Sequence, residues 1–166
     1  MIEVSGLVKR YGSFEAVRGV SFTVGSGKIV GLLGPNGAGK TTIMKVLTGY
    51  HRPSSGTAVL GGKDVVMDPV GVKSIVGYLP EGVPLYLDMT VAEYLGFAAD
   101  SRRLNEGKDP ASRKAAIEKA VESCGLSAVT GVRMERLSKG YRQRVGLAQA
   151  IVHGPEILLL ADPTTG

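Results

Sequence analysis

The chain has 166 residues, of which 43% are hydrophobic and 21% charged, with a formal net charge of +5; this suits one domain with room for a subdomain and a real core. The basic excess fits a phosphate-handling protein and equally an ordinary basic surface. The single cysteine, Cys124, excludes an internal disulfide and points to a reducing, cytoplasmic setting, and no run approaches the roughly 18 apolar residues of a membrane span.

The N-terminus "MIEVSGLVKR" has no apolar stretch of signal-peptide type. From Ile2 to Val24 the chain reads as strands, "IEVSGLVKRY" and then "AVRGVSFTV", with partial alternation. "KIVGLLG", Lys28–Gly34, is short, nearly all apolar and closed by glycine, the pattern of a buried parallel strand. "GKTTIMKVLTG" follows as a helix closing at Gly49. "TAVLGGKDV" predicts a hairpin around Gly61-Gly62, and Ile75–Leu79 a strand stopped by Pro80. "TVAEYLGFAADSRRL" and "PASRKAAIEKAVESCGL" are helical by period and capping. Thr90 with Glu93 forms a capping box and Pro110 suits a first turn, with "NEGKD" as the loop between. "LSKGYRQRVGLAQAIVHG" is a further helix and "EILLL" a buried strand. Alternating strands and helices argue for an α/β fold with a largely parallel sheet and an N-terminal antiparallel β part. Residues 1–87 and 133–166 read as the α/β core and 88–132 as an inserted helical subdomain.

"GPNGAGKTT", Gly34–Thr42, matches G-x-x-x-x-G-K-[ST] between a predicted strand and a predicted helix, the context that gives the motif meaning. Gly34, Gly37 and Gly39 permit positive φ, so that successive N–H groups point inward around a phosphate. The helix starting near Lys40 adds its positive dipole end. Lys40 is placed to bridge β- and γ-phosphates, and the Thr41 hydroxyl to ligate Mg²⁺. The bland alternative is a glycine-rich turn before a helix. The expected ligands of the loop are therefore ATP and Mg²⁺, held by Gly34, Pro35, Asn36, Gly37, Ala38, Gly39, Lys40, Thr41 and Thr42.

Together with "LVKRYGSFEAVRGVSF", "LSKGYRQR" and the terminal "PEILLLADPTTG", this loop resembles the ATP-binding subunits of ABC transporters, in the family's own order along essentially the whole chain. The resemblance implies a P-loop NTPase core and several roles. Tyr11 stands where an aromatic stacks on adenine. Ser138 and Gly140 match the family's signature sequence, whereas Lys139 and Tyr141 replace its usual glycine and glutamine; the signature helix would face a γ-phosphate with its N-terminus. Glu81 stands in place of the glutamine of the loop linking metal site and membrane subunit, so it keeps an oxygen for Mg²⁺ but loses an amide donor. This stretch, "VGYLPEGVPLYLDMTVAEYL", is similar to subunits serving ABC-2-type exporters, including gliding-motility and multidrug systems.

In the family the last strand ends in Asp-Glu-Pro-Thr, where the Asp orders the metal's water shell and the Glu polarises the attacking water. Matched on Pro163, Ala161 takes the first position and Asp162 the second. Loss of the first carboxylate implies a penalty of about 10- to 100-fold. A catalytic carboxylate withdrawn by about 1 Å costs on the order of 100-fold. Intact ATP binding with weakened hydrolysis is therefore expected, with Asp162 and Lys40 as the catalytic candidates. The resemblance also implies a membrane permease partner, a head-to-tail dimer in which each phosphate loop meets the partner's Ser138 and Gly140, and a peripheral location at the inner face of the membrane. No extended basic-aromatic tract suits nucleic acid. The family's domain continues with a Leu-Asp loop, a further strand and a switch histidine, so the sequence reads as incomplete at its C-terminus. His51 and His153 are expected on the surface and out of place for that switch. A regulatory module that binds ATP without turning it over, and a non-functional fragment, are the alternatives.

Overall fold

The computed structural model describes residues 1–102 and 110–161. They form two compact units, Met1–Val76 and Gly77–Gly166, each with its own sheet.

The first unit is built on a four-stranded antiparallel sheet in the order β2-β1-β3-β4. Its strands are β1 (Ile2–Tyr11), β2 (Phe14–Val24), β3 (Ser55–Leu60) and β4 (Lys63–Asp64). In β1 the buried side chains are Ile2, Val4 and then Leu7, a change from even to odd positions. A bulge explains it: the β1–β2 register shifts between Val4 and Leu7, Gly6 lies at φ +55, and the Gly6 N–H donates to Ser21 Oγ at 2.8 Å. One extra residue re-aims Leu7 into the same core. Opposite it, a side chain on Gly56 would run into the Gly6 carbonyl, so both bulge-side positions require glycine. The Gly61-Gly62 hairpin joins β3 to β4, as the sequence predicts.

Helix α1 (Lys40–Leu47) buries Ile43, Val46 and Leu47 and closes through Gly49 at φ +67. A second helix, α2 (Pro69–Ile75), was not read from the sequence, although its signal is there. Asp68 caps it by accepting from the Gly71 N–H at 2.8 Å, and Pro69 fills the first turn.

Lys28–Gly34 departs from expectation. It is not a strand, and Ile29 and Leu33 are 104% and 92% exposed. Among the described residues no strand pairs with it. An apolar run becomes a buried strand only where neighbouring strands take its N–H and C=O groups, and composition does not supply them.

The second unit carries a two-stranded sheet, β5 (Val76–Leu79) with β6 (Ile157–Leu160). The Ala161 N–H, just beyond β6, donates to the carbonyl of Leu79 at the end of β5 at 2.8 Å, so the strands run parallel. The α/β class, with an antiparallel N-terminal sheet and a parallel sheet, is as the sequence predicts. Around the helices α3 (Val91–Ser101), α4 (Pro110–Ser123) and α5 (Lys139–Ile151) lies a core of Val91, Tyr94, Leu95, Leu126, Met134 and Val145. Arg113 of α4 clamps α3, donating to both Asp100 oxygens at 2.6 and 2.9 Å and to the Gly96 carbonyl at 3.0 Å. Segment 87–92 is tied to 130–135 by backbone bonds from Val91 to Val132 and from Met134 to Met89. Cys124 is a free, buried thiol whose pKa burial pushes up, against a smaller opposing effect of Arg144. Among the described residues no helix is long and apolar enough to cross a membrane.

Two stability predictions follow from the second unit. A Cβ on Gly77 would run into the Ala150 carbonyl and lie 2.9 Å from Pro155 Cγ, so Gly77→Ala should cost about 1–3 kcal/mol in urea unfolding. The capping box at α3 has both its bonds, Glu93 N–H to Thr90 Oγ1 at 3.2 Å and Thr90 N–H to Glu93 Oε2 at 2.8 Å. Thr90→Ala should cost about 1 kcal/mol near neutral pH. The backbone and side-chain hydrogen bonds of Thr90 hold the Glu93 carboxyl below its usual range. Its contribution is therefore present above the unfolded-state pKa and lost as pH falls through the folded one. The wild-type advantage over Thr90→Ala should shrink in acid; an undiminished difference would rule out the carboxylate's share.

Candidate functional site

The phosphate loop belongs to the first unit. Gly37 and Gly39 lie at φ +81 and +85, and the Ala38 N–H donates to the Pro35 carbonyl at 3.2 Å, closing a tight turn. Gly39 is the N-cap of α1. A side chain there would strike the Ala16 carbonyl and crowd Val17, so glycine is required by conformation and by space alike. Having no side chain, Gly39 leaves the first-turn N–H groups of α1 without a side-chain cap. Gly34–Ala38 and Thr41 are exposed, and Gly39, Lys40 and Thr42 half-buried.

The Lys40 ammonium folds back over this loop. Its Nζ donates to the carbonyls of Gly34 at 2.6 Å and Pro35 at 2.8 Å. A cation is thus fixed beside an uncapped helix N-terminus, within a turn of small residues. The ensemble suits an anion rich in oxygen atoms. The Thr41 hydroxyl, exposed on the first turn, is free to meet a hydrated cation that such an anion brings.

Tyr11 ends β1 and is 43% exposed. The Lys9 Nζ lies 5.1 Å from its ring centroid, and His51 meets it edge-on at 5.7 Å. The same His51 contacts Tyr50 at 4.9 Å. Backbone N–H groups of Tyr50 and His51 donate to the Lys45 carbonyl in the last turn of α1. So α1 touches the Tyr11 neighbourhood at both ends, through Gly39 on Ala16 and through Lys45 on His51. His51 is half-buried rather than the plain surface residue expected, and so is His153. Partial burial, reinforced by Lys9 and then Lys45, lowers the His51 pKa, keeping the ring neutral near pH 7.

The other predicted residues belong to the second unit. Ser138 is the N-cap of α5, its Oγ accepting from the Tyr141 N–H at 3.3 Å. Ser138, Lys139 and Gly140 are exposed, and a Cβ on Gly140 would meet nothing within 4 Å. Arg142 steadies this end of α5, donating to the carbonyls of Met134 at 3.1 Å and Glu135 at 2.8 Å. The Tyr141 ring carries the Arg144 guanidinium 5.4 Å from its centroid. Glu81 is exposed, two residues past Leu79, and Ala161 hydrogen-bonds to Leu79. Both therefore stand at the C-terminal edge of the parallel pair, the edge where open α/β sheets place ligands. Burial and then the Glu81 charge raise the pKa of Tyr78 behind them. Asp162 lies outside the described residues. Lys9 was not singled out from the sequence; its position two residues before Tyr11 on one strand is the signal that could have found it.

Residues 17–165 match the family model described as ABC transporter. YbhF of Escherichia coli (strain K12), named a probable multidrug ABC transporter ATP-binding protein, is 37% identical over 168 residues, covering 100% of this chain and 28% of YbhF. YxlF of Bacillus subtilis (strain 168), named an uncharacterized ABC transporter ATP-binding protein, is 38% identical, covering 99% of this chain and 53% of its own length. The chain thus spans about half or less of these two relatives. A solved structure of an ATP-binding subunit of an ABC transporter superposes with a TM-score of 0.86 at 27% identity, covering 99% of this chain and 67% of that one. The chain belongs to the ABC transporter family and carries sequence and fold of its ATP-binding domain.

Proposed function

We propose that this chain binds ATP with Mg²⁺ and that, in the whole protein, its hydrolysis drives transport by a membrane permease subunit. The observation that carries the reading is the Lys40 ammonium held by the Gly34 and Pro35 carbonyls beside the uncapped N-terminus of α1. An entering triphosphate accepts from the first-turn N–H groups, and Lys40 exchanges two neutral carbonyl acceptors for anionic oxygens, a stronger class of hydrogen bond. Tyr11 stacks on the base. Thr41 and Glu81 would hold Mg²⁺. When bound, that ion neutralises charge developing on the phosphates. Thr41 offers a hydroxyl and Glu81 a carboxylate, hard oxygen donors of the kind Mg²⁺ accepts. Asp162 would polarise the attacking water.

The exposed, Arg142-braced start of α5, with Ser138 and Gly140, supports a head-to-tail dimer in which it meets the ATP on a partner copy. Residues 88–132 would serve as the helical subdomain that passes motion to the permease, placing the protein at the inner face of the membrane. The ABC-2-type exporter reading rests on the 76–95 stretch and on the relative named as a multidrug transporter protein.

A second reading is an ATP-operated dimer with little turnover. Ala161 favours it, since its side chain has no oxygen where the family has a metal-orienting carboxylate. ATP-dependent dimerisation without phosphate release would support the second reading, and phosphate release the first.

Lys40→Met should weaken ATP affinity about 10- to 100-fold, the range for losing a hydrogen bond to a charged group, read by calorimetric titration. An unchanged affinity would overturn the assignment of the loop. Ala161→Asp combined with Asp162→Glu should raise phosphate release at least about 10-fold and leave ATP affinity within a few-fold. A rate that does not move would show that these positions do not limit turnover.

A further inference from the structure

We infer that Lys9 is a positioning residue for the nucleobase: its ammonium, anchored on the Arg52 carbonyl, covers one face of the Tyr11 ring and assigns the base to the other. The inference rests on the ATP-binding reading above and deepens it. Lys9 Nζ donates to the Arg52 carbonyl at 2.8 Å and lies 5.1 Å from the Tyr11 centroid. The loop that supplies this carbonyl is itself fixed. Tyr50 and His51 N–H groups donate to the Lys45 carbonyl, and the Ser54 N–H to the Val8 carbonyl. His51 packs against the same ring, 5.7 Å between centroids and inclined at 76°. Tyr11 nevertheless keeps 43% of its surface open.

Three consequences follow. The ammonium is committed to a carbonyl and a ring, so it acts on the ring and not as a phosphate ligand. It draws π density toward itself and leaves the opposite face less negative, which favours stacking by an electron-rich purine. It also restricts the ring's rotation, so the platform is ordered before the base arrives and less entropy is lost on binding. Arg10, the intervening residue, pairs instead with Glu15 at 3.3 Å, which leaves Lys9 as the cation on the ring.

The test compares ATP with inorganic tripolyphosphate, which offers the phosphates without a base, each titrated with Mg²⁺ into the full chain. Lys9→Met keeps the aliphatic stem and should weaken ATP about 2- to 5-fold, the fold-change of an exposed cation–π contact, with tripolyphosphate unchanged. Lys9→Arg should restore ATP affinity. Tyr11→Ala should weaken ATP and abolish any further effect of Lys9→Met. Parallel loss of tripolyphosphate affinity in Lys9→Met would make Lys9 a phosphate contact and overturn the inference. So would an effect of Lys9→Met that persists in the Tyr11→Ala background. Wild-type protein that binds neither ligand would overturn the ATP reading itself, whereas wild-type binding of ATP with an inert Lys9→Met would overturn the Lys9 role alone.

Discussion

The first unit turns on the contact of Gly39 with the Ala16 carbonyl. Helix α1 starts against β2 so closely that no side chain fits between them. This fixes where the helix N-terminus points and, since Gly39 cannot cap it, leaves that N-terminus chemically unfinished. The same approach draws the β1–β2 hairpin, with Tyr11 and Lys9, alongside the helix. A methyl group at residue 39 would therefore disturb a turn, a helix start and an aromatic platform together. The glycine is a structural constraint and, by the same fact, the reason the first-turn N–H groups of α1 lack a side-chain cap.

The two helix N-termini of interest are built on opposite principles. That of α1 has no side-chain cap and keeps a lysine in reserve on neighbouring carbonyls. That of α5 is capped by Ser138 and braced by Arg142, so it stands exposed yet satisfied. An uncapped end gains most from a tightly bound anion, because several orphan N–H groups find partners at once. A capped end gains less, and contributes dipole and a hydroxyl to a ligand held chiefly elsewhere. On the proposed reading this asymmetry is functional: α1 grips the triphosphate of its own chain, and α5 senses that of a partner.

Local rules were the most legible part of the sequence. Thr90 and Glu93 announce their capping box, Ser138 its helix and Gly61-Gly62 their hairpin, because each feature depends on residues within a few positions. Helix α2 shows the same kind of signal in Asp68-Pro69, but its seven residues are too few for periodicity to declare it. The bulge at Gly6 was hidden because a shift of register leaves both halves of the strand looking regular. Lys28–Gly34 marks the other boundary. A continuous apolar run states what a segment would gain by burial, not which strands will bury it. For the site, the phosphate loop is readable because backbone geometry dictates its residues one by one. The contacts of Lys9 with the Arg52 carbonyl and of Tyr11 with His51 are not, since they join residues about forty apart through β1–β3 pairing.

Binding and hydrolysis make unequal demands on a chain. Holding a triphosphate requires N–H groups and a cation, which the loop supplies from one continuous segment. Metal chemistry requires convergent oxygens. Among the described residues no group of three metal-ligating side chains occurs. At the C-terminal edge of β5 and β6 the described carboxylate is Glu81, where Ala161 contributes only backbone. Mg²⁺ tolerates this better than other ions would, since it commonly takes one or two protein oxygens with the rest from phosphates and water. What a missing carboxylate at 161 removes is therefore less the ion than its orientation, and orientation is what a hydrolytic step depends on. On the proposed reading, the residues present support the binding of ATP more fully than its hydrolysis.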